Sequence, residues 1–201
     1  MRLRIWVLVG SVVVFGVLVG FFVTRFLNPT PPQITASTTS QTLEGKPVVD
    51  FTLTTVGTIG YGPHPEWVSY LPTTYLYVPA GSVVHMTIEQ QDSASGLRNP
   101  YFSLVRGTIG DQMTVNGKVV QAIDPSLPAH TFTIPDLGVS VPLEGVSGNV
   151  TTNVVQFNFV VPDQKGLFRW QCFVPCGAGT LYGNGGPMQT LGYMAGELQV
   201  G

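Results

Sequence analysis

Two cysteines separated by three residues are the side chains of this sequence best suited to chemistry. Cys172 and Cys176 are the only cysteines among the 201 residues, and a glycine-rich stretch follows them. Two thiolates at this spacing form a ligand pair for a soft metal ion, above all copper. In an oxidising compartment the same pair can instead form a disulfide. A third interpretation is a pair of inert buried thiols, which a location outside the cytoplasm disfavours. All three interpretations stay open at this point.

Histidines and methionines are the remaining side chains with metal-binding chemistry. His130 begins a β-type run, and Met194 stands shortly before a C-terminal β-type run. His85 lies on the opposite strand face from an alternating apolar set, which is typical of a partly exposed residue. His64 lies in a proline-rich turn, where we expect it to be solvated. Met188 is either core or surface filler or a thioether ligand for Cu(I).

The segments 165–177 and 192–200 resemble the C-terminal end of a cupredoxin domain. More narrowly, they resemble the dinuclear-copper (CuA) loop of subunit II of haem–copper oxidases, with its C-x3-C-G-x2-H-x2-M-x-G pattern before the final strand. By this resemblance Cys172 and Cys176 match the bridging thiolates. His130 matches the first imidazole ligand, and Met194 matches the weak thioether ligand. The resemblance implies a copper cofactor in a cupredoxin-like Greek-key β-sandwich.

The sequence departs from that family pattern at the second histidine. Counting back from Met194 places Leu191 there, and counting on from Cys176 places Thr180 there; neither side chain binds copper. The spacing from Cys176 to Met194 is also longer than in the family. Three strong ligands without a second imidazole favour Cu(I), or a site that a residue of a partner completes.

The balance of charges argues against nucleic-acid binding, and the absence of catalytic motifs argues against several classes of enzyme. Nine Lys and Arg residues against eleven Asp and Glu residues give a net charge of −2, which provides no basic surface for nucleic acid. The sequence has no phosphate-binding glycine loop, no H-E-x-x-H and no nucleophile elbow. The acidic residues are scattered, and we expect them to be solvated. We therefore expect no independent hydrolase or transferase, and the resemblance to subunit II implies at most a non-catalytic subunit of a terminal oxidase.

An uncharged apolar run occupies residues 5–24. A helix of this length spans about 30 Å, which matches the hydrocarbon core of a bilayer. No small-residue cleavage site follows the run, which disfavours a signal peptide, and Arg2 and Arg4 precede it. We therefore expect residues 1–27 to form a single-pass transmembrane anchor in the cell membrane. Residues 28–45 would form a Pro/Thr/Ser-rich tether that leads to a domain outside the cytoplasm.

Residues 46–201 have the pattern of a mainly β domain. Short β-branched and aromatic runs occur at 48–55, 74–78, 82–90, 130–134, 152–161, 166–172 and 197–200, with turn-forming residues between them. In the fifth run, Val155, Phe157 and Phe159 alternate with polar or smaller residues and predict one buried face. Short strands at this spacing favour an antiparallel sandwich, with a long insert at 91–124.

These features lead to one leading hypothesis and two alternatives. The leading hypothesis is a subunit II-like component of a respiratory haem–copper oxidase complex. It would bind membrane-embedded oxidase subunits and act either in electron transfer or as a docking subunit without copper. The first alternative is a stand-alone, membrane-anchored copper carrier or electron shuttle. The second is a structural β-sandwich with a disulfide between Cys172 and Cys176.

Overall fold

The computed structural model describes residues 2–23, 32–60, 62–177 and 185–201. The chain divides into two units, Met1–Pro32 and Gln33–Gly201. The described residues of the first unit form one helix, and all the described strands lie in the second unit.

The helix of the first unit, α1, spans Arg2–Phe22. Its sequence contains no proline and consists mainly of Val, Leu, Phe and Gly, so nothing interrupts the helical hydrogen bonds. A helix is therefore present where the apolar run predicts one. Among the residues that the structure describes, no helix combines the length and apolarity needed to cross a membrane. The predicted transmembrane anchor is thus not confirmed.

Thirteen strands occur in the described part of the second unit. In chain order they are β1 (Gln33–Thr35), β2 (Ser37–Leu43), β3 (Lys46–Val56), β4 (Ser69–Leu71), β5 (Tyr75–Val78), β6 (Val83–Gln90), β7 (Met113–Val115), β8 (Lys118–Val120), β9 (Pro128–Ile134), β10 (Val139–Glu144), β11 (Asn153–Val160), β12 (Gly166–Gln171) and β13 (Ala195–Val200). Short 3₁₀ helices occur at Pro100–Ser103, Ile109–Asp111, Pro135–Leu137 and Pro187–Gln189.

The strands form two sheets. One has the order β1–β5–β13–β12–β9–β10, and the other has the order β2–β3–β6–β11–β7–β8, with β4 paired to β3. The predicted alternation is confirmed in β11, where Val155, Phe157 and Phe159 are buried in the core. Aromatic packing also joins Phe132 to Trp170, whose ring centroids are 4.8 Å apart. The prediction of a mainly β, two-sheet fold is confirmed.

The expected tether differs from the structure, because residues 33–43 form strands β1 and β2. β2 pairs antiparallel with β3 in the second sheet, while β1 pairs with β5 in the first. The hairpin between β2 and β3 turns at Glu44 and Gly45, which both have positive φ angles of 52° and 75°. Two such residues suit a tight hairpin turn. Threonine-rich segments also favour strands, so a Thr/Ser composition does not by itself predict an extended linker.

The prediction of an antiparallel sandwich is wrong for three strand pairs. β1 and β5, β5 and β13, and β3 and β6 run parallel. Strands β3 and β6 lie side by side in one sheet, but the chain between them passes through β5 in the other sheet. This crossover allows β3 and β6 to run parallel. Both sheets are therefore mixed.

Candidate metal centre

The predicted thiolate and imidazole ligands meet at the end of two neighbouring strands. β9 carries His130, and Cys172 directly follows β12, which pairs with β9 at Gln171 and Thr133. All seven residues of β9 are buried, and His130 is only 1% exposed. One ligand atom from each of His130, Cys172 and Cys176 lies within 4.8 Å of the others. Sequence reasoning identified all three residues.

The two thiols are close but not joined by a covalent bond. Their sulfur atoms are 3.7 Å apart, whereas a disulfide requires about 2.05 Å. Two sulfurs held at about 2.3 Å by one tetrahedral ion would lie about 3.8 Å apart. The Nδ1 atom of His130 is 3.8 Å from the sulfur of Cys172. The donor set therefore fits a soft metal ion in its chemistry and its spacing.

The imidazole of His130 is oriented by a carboxylate. Its Nε2 atom is 3.0 Å from Oδ2 of Asp92, and Nδ1 consequently faces Cys172. The other carboxylate oxygen of Asp92 accepts a hydrogen bond from the backbone N–H of Ser93 at 2.8 Å. The Asp92 carbonyl accepts another from the N–H of Val146 at 2.9 Å. Histidines that bind metals usually have their second ring nitrogen fixed in this way.

Thr131, next to His130 on β9, connects three parts of the centre. Its backbone N–H donates a hydrogen bond to the Cys172 sulfur. Its hydroxyl oxygen accepts one from the backbone N–H of Phe173 at 2.9 Å, and its carbonyl accepts one from the Tyr70 hydroxyl at 3.2 Å. These bonds fix the segment 172–177, here called the cysteine loop, against β9 and leave little freedom for Cys172.

The titratable groups of the centre shift one another's pKa values. Burial opposes a charge on His130, but the hydrogen bonds to Asp92 and Cys172 outweigh it and raise the pKa of His130 to about 9. The hydrogen bond to His130 lowers the pKa of Asp92. Burial likewise opposes the Cys172 thiolate, yet hydrogen bonds from Cys176 and His130 hold its pKa well below the ordinary value. Hydrogen bonding to Cys172, with burial, raises the pKa of Cys176. A bound cation would therefore displace protons from His130 and Cys176.

Met194 reaches the centre through its backbone. It is fully buried immediately before β13, and its carbonyl accepts the N–H of Cys172 at 2.9 Å. Its own N–H donates to the carbonyl of Pro187 at 3.1 Å. Gly177, at the other end of the cysteine loop, has a φ of +74° and packs so tightly on Pro187 that a side chain there would collide with the ring. The role of Met194 as a weak thioether ligand stays a prediction.

The two positions that align with the second histidine of the family pattern, 191 and 180, add no imidazole to the described part of the centre. Leu191 is partly buried and pairs with Ala195 in an isolated bridge. Thr180 lies outside the described residues. Met188, the further thioether considered from sequence, is partly buried against the hydrophobic core.

The other two histidines have different partners. His85 on β6 is half-exposed, and its Nδ1 lies 3.0 Å from Oδ1 of Asp50 on β3. His64 is half-exposed and stacks on Trp67 with ring centroids 3.8 Å apart. Neither belongs to the cluster of His130 and the two cysteines.

Asp92 is the functional residue that sequence reasoning missed. All acidic residues were expected to be solvated, but the side chain of Asp92 is 30% exposed and bonds to a buried imidazole. It follows β6 in a run of polar residues, and no local motif distinguishes it from the other acids. Its role becomes visible only in the structure, where the residues that follow β6 lie next to β9.

Comparison with known proteins adds structural neighbours but no family. No protein-family model matches the chain, and no curated protein matches it. The metal-binding domain of a Cu(I)-exporting P-type ATPase of Streptococcus pneumoniae D39, solved with Cu(I), has 12% identity and a TM-score of 0.39, with 86% of this chain and 98% of that chain covered. A chain of a haem–copper terminal oxidase dimer has 13% identity and a TM-score of 0.35, with 100% and 98% covered.

Rusticyanin, a copper protein, is a third structural neighbour. A structure of its variants has 13% identity and a TM-score of 0.36, with 82% of this chain and 88% of that chain covered. TM-scores of this size do not establish a shared fold. The chemistry of the centre must therefore be inferred from this chain's own residues.

Proposed function

We propose that residues 33–201 form a copper-binding, cupredoxin-like domain. His130, Cys172 and Cys176 hold the ion, and Met194 acts as a weak fourth ligand. The observation that carries this proposal is the contact between Asp92 and His130, which turns the other imidazole nitrogen toward two thiols. Carboxylate-oriented imidazoles and paired thiolates are typical of metal sites, and thiolates select soft ions such as Cu(I).

The burial of the centre supports a role in electron transfer. Cys172 is fully buried, and hydrogen bonds to Thr131, Met194 and Val174 fix its position. A ligand set that is already assembled needs little rearrangement when the ion changes its oxidation state. Copper, when bound, would supply the electron-accepting chemistry, while the protein supplies the orientation and the exclusion of water.

The same site can be tested directly by metal analysis. Full-length protein loaded with Cu(I) and dialysed should retain about one copper ion per chain, because one cluster of strong ligands is present among the described residues. Cys172→Ser should remove most of the copper. His85→Ala is the matched control, because His85 bonds to Asp50 outside the cluster, and it should retain copper like the wild type. Equal retention by Cys172→Ser and the wild type would contradict the assignment.

The domain would serve as a subunit II-like component of a respiratory haem–copper oxidase complex. Support comes from the resemblance of segments 165–177 and 192–200 to the subunit II copper loop. In this role the domain passes electrons to membrane-embedded oxidase subunits, or docks on them without copper. Extraction in mild detergent should copurify haem-bearing subunits with the chain. A monodisperse, haem-free monomer in several detergents would contradict this role.

The domain would lie outside the cytoplasm, and residues 1–27 would attach it to the cell membrane. The apolar run 5–24 and the arginines that precede it support this proposal. Protease added to intact cells should cleave the domain while a cytoplasmic marker survives. Protection of the domain until the cells are lysed would contradict this location.

A stand-alone copper carrier or electron shuttle is the second candidate. The observation that favours it is the ligand deficit, because Leu191 and Thr180 replace the second histidine of the family pattern. Two thiolates and one imidazole suit Cu(I) better than Cu(II), as a carrier requires. Copper binding without any haem-bearing partner would favour this candidate over the oxidase subunit.

A further inference from the structure

A cavity of about 250 Å³ lies beside the cysteine loop, and the copper proposal does not use it. It is enclosed by parts of the insert between β6 and β7, of β9 and β10, and of the cysteine loop. The side chains important here are Tyr101, Arg106, Thr133, Val139, Ser140 and Phe173. The cavity thus combines one cation, the hydroxyls of Thr133, Ser140 and Tyr101, and several apolar groups.

Arg106 is held in place at the cavity by its backbone and its side chain. Its N–H donates to the carbonyl of Ser140, and its carbonyl accepts the N–H of Ser140, both at 2.9 Å. Its guanidinium lies over the ring of Tyr101, 4.2 Å from the centroid. Gly107 allows this approach, because its φ is +68° and a side chain there would collide with the backbone of Gly138.

Arg106 forms no ion pair with the nearby Asp111, whose carboxylate instead accepts the N–H of Gly107 at 2.8 Å. Ion pairs in the described part of the chain join other residues, and no carboxylate there lies in ion-pair contact with Arg106. A guanidinium whose backbone is fixed can bind a carboxylate through two parallel hydrogen bonds. Its immobilised position lowers the entropy lost on binding.

Two buried hydroxyls form the polar side of the cavity. The oxygens of Ser140 and Thr133 lie 3.2 Å apart, and Thr133 donates to the hydroxyl of Thr131 at 3.0 Å. Val139 and half-buried Phe173 supply apolar walls. Apolar walls with a few fixed polar groups are the usual composition of a small-molecule site.

We infer that this cavity binds a small carboxylate that carries a single aromatic ring. The carboxylate pairs with Arg106. The Ser140 hydroxyl, which otherwise donates to Thr133, turns to donate its proton to the carboxylate. The ring lies against Val139 and Phe173. The volume suits one ring rather than a larger ligand. This site does not depend on copper binding, since none of its contacts involves a proposed metal ligand.

The hydrogen bonds of the cavity also connect it to the metal centre. Thr133 bonds to Thr131, whose hydroxyl accepts the Phe173 N–H and whose own N–H donates to the Cys172 sulfur. A ligand that engages Ser140 therefore changes the surroundings of Thr131 and Phe173. The backbone amides of these two residues report occupancy whether or not copper is present.

Titration of the full-length, copper-free protein with benzoate tests the site, with amide NMR shifts as the readout. Benzoate should bind one saturable site with a Kd of about 1 mM or tighter. Benzamide has nearly the same shape without the charge, and it should bind at least about tenfold more weakly. The largest shifts should occur at Thr133, Ser140 and Phe173, with a smaller one at Thr131.

Substitutions separate the charge of Arg106 from the general charge of the domain. Arg106→Gln should weaken benzoate binding to the level of benzamide. Lys118→Gln, which removes an exposed cation on β8, should leave it unchanged. Near-ultraviolet circular dichroism confirms that each variant is folded, and the comparison of benzoate with benzamide needs no variant. Equal affinities for the two probes, shifts at another surface, or no saturable binding would overturn the assignment. Copper retention measured in the same samples tests the metal proposal separately.

Discussion

Replacing Asp92 by asparagine isolates the contribution of the imidazole-orienting hydrogen bond to copper binding. The carboxylate lies 3.0 Å from Nε2 of His130, and the imidazole is only 1% exposed, so water screens the interaction little. Asparagine keeps the shape of the side chain but removes its charge. The orientation of the imidazole toward Cys172 is then less strongly fixed.

The size of the effect depends on pH because two consequences oppose each other. Loss of a hydrogen-bond partner behind a metal ligand costs about 10–100-fold in affinity, or about 1.4–2.7 kcal/mol. The same change lowers the pKa of His130 from about 9, so that fewer protons compete with the metal at neutral pH. We therefore expect the full loss at pH 9 and a smaller loss at pH 7.

Competition with a chromophoric Cu(I) chelator at both pH values measures this loss. Asp50→Asn is the matched control, because Asp50 also lies 3.0 Å from a histidine, His85, but both side chains are partly exposed and neither belongs to the cluster. This control should bind copper like the wild type. Unchanged affinity of Asp92→Asn at pH 9, or an equal loss in both variants, would refute the role given to Asp92.

Other contacts of the centre predict changes in the unfolding of the apo protein by urea. The raised pKa of His130 costs stability as pH rises from 6.5 to about 9, whereas the lowered pKa of Cys172 adds stability over this rise. The free energy of unfolding of the wild type should therefore change little between these pH values. That of Cys172→Ser should fall by about 1–3 kcal/mol over the same rise, and a pH-independent value for this variant would contradict the pairing of His130 with Cys172. Tyr70→Phe removes the buried hydrogen bond to Thr131 and should cost about 1 kcal/mol; an unchanged midpoint would show that this bond contributes nothing. Gly177→Ala should lower the free energy of unfolding by at least about 1 kcal/mol, because Gly177 has a positive φ and a Cβ there would collide with Pro187; an unchanged free energy would contradict both arguments.

Strands in which buried and exposed residues alternate could be predicted from the sequence. β6 and β11 alternate apolar residues over eight positions each, and this pattern is visible without a structure. β2 was missed because it is polar and largely exposed, so no apolar period marks it. β10 was missed although it is buried, because Pro142 interrupts its pattern. A proline is tolerated there since β10 is the last strand of its sheet.

The ligands of the centre could be proposed from sequence, but their supporting residues could not. Cys172, Cys176 and His130 have side chains whose chemistry is informative by type and spacing. Asp92 and Thr131 are common residue types, and their roles depend on which strand ends are neighbours. That information is long-range, since Asp92 and His130 are 38 positions apart in the sequence.

X-ray absorption at the copper edge, recorded on the copper-loaded full-length protein, tests the copper proposal most directly. The expected spectrum shows two near sulfur neighbours and one imidazole nitrogen, supplied by Cys172, Cys176 and His130, with the Met194 sulfur as a more distant and weaker fourth neighbour. Mass spectrometry of the same sample should find both cysteines reduced. A copper ion with only nitrogen and oxygen neighbours, or a disulfide between Cys172 and Cys176 in the loaded protein, would contradict the account.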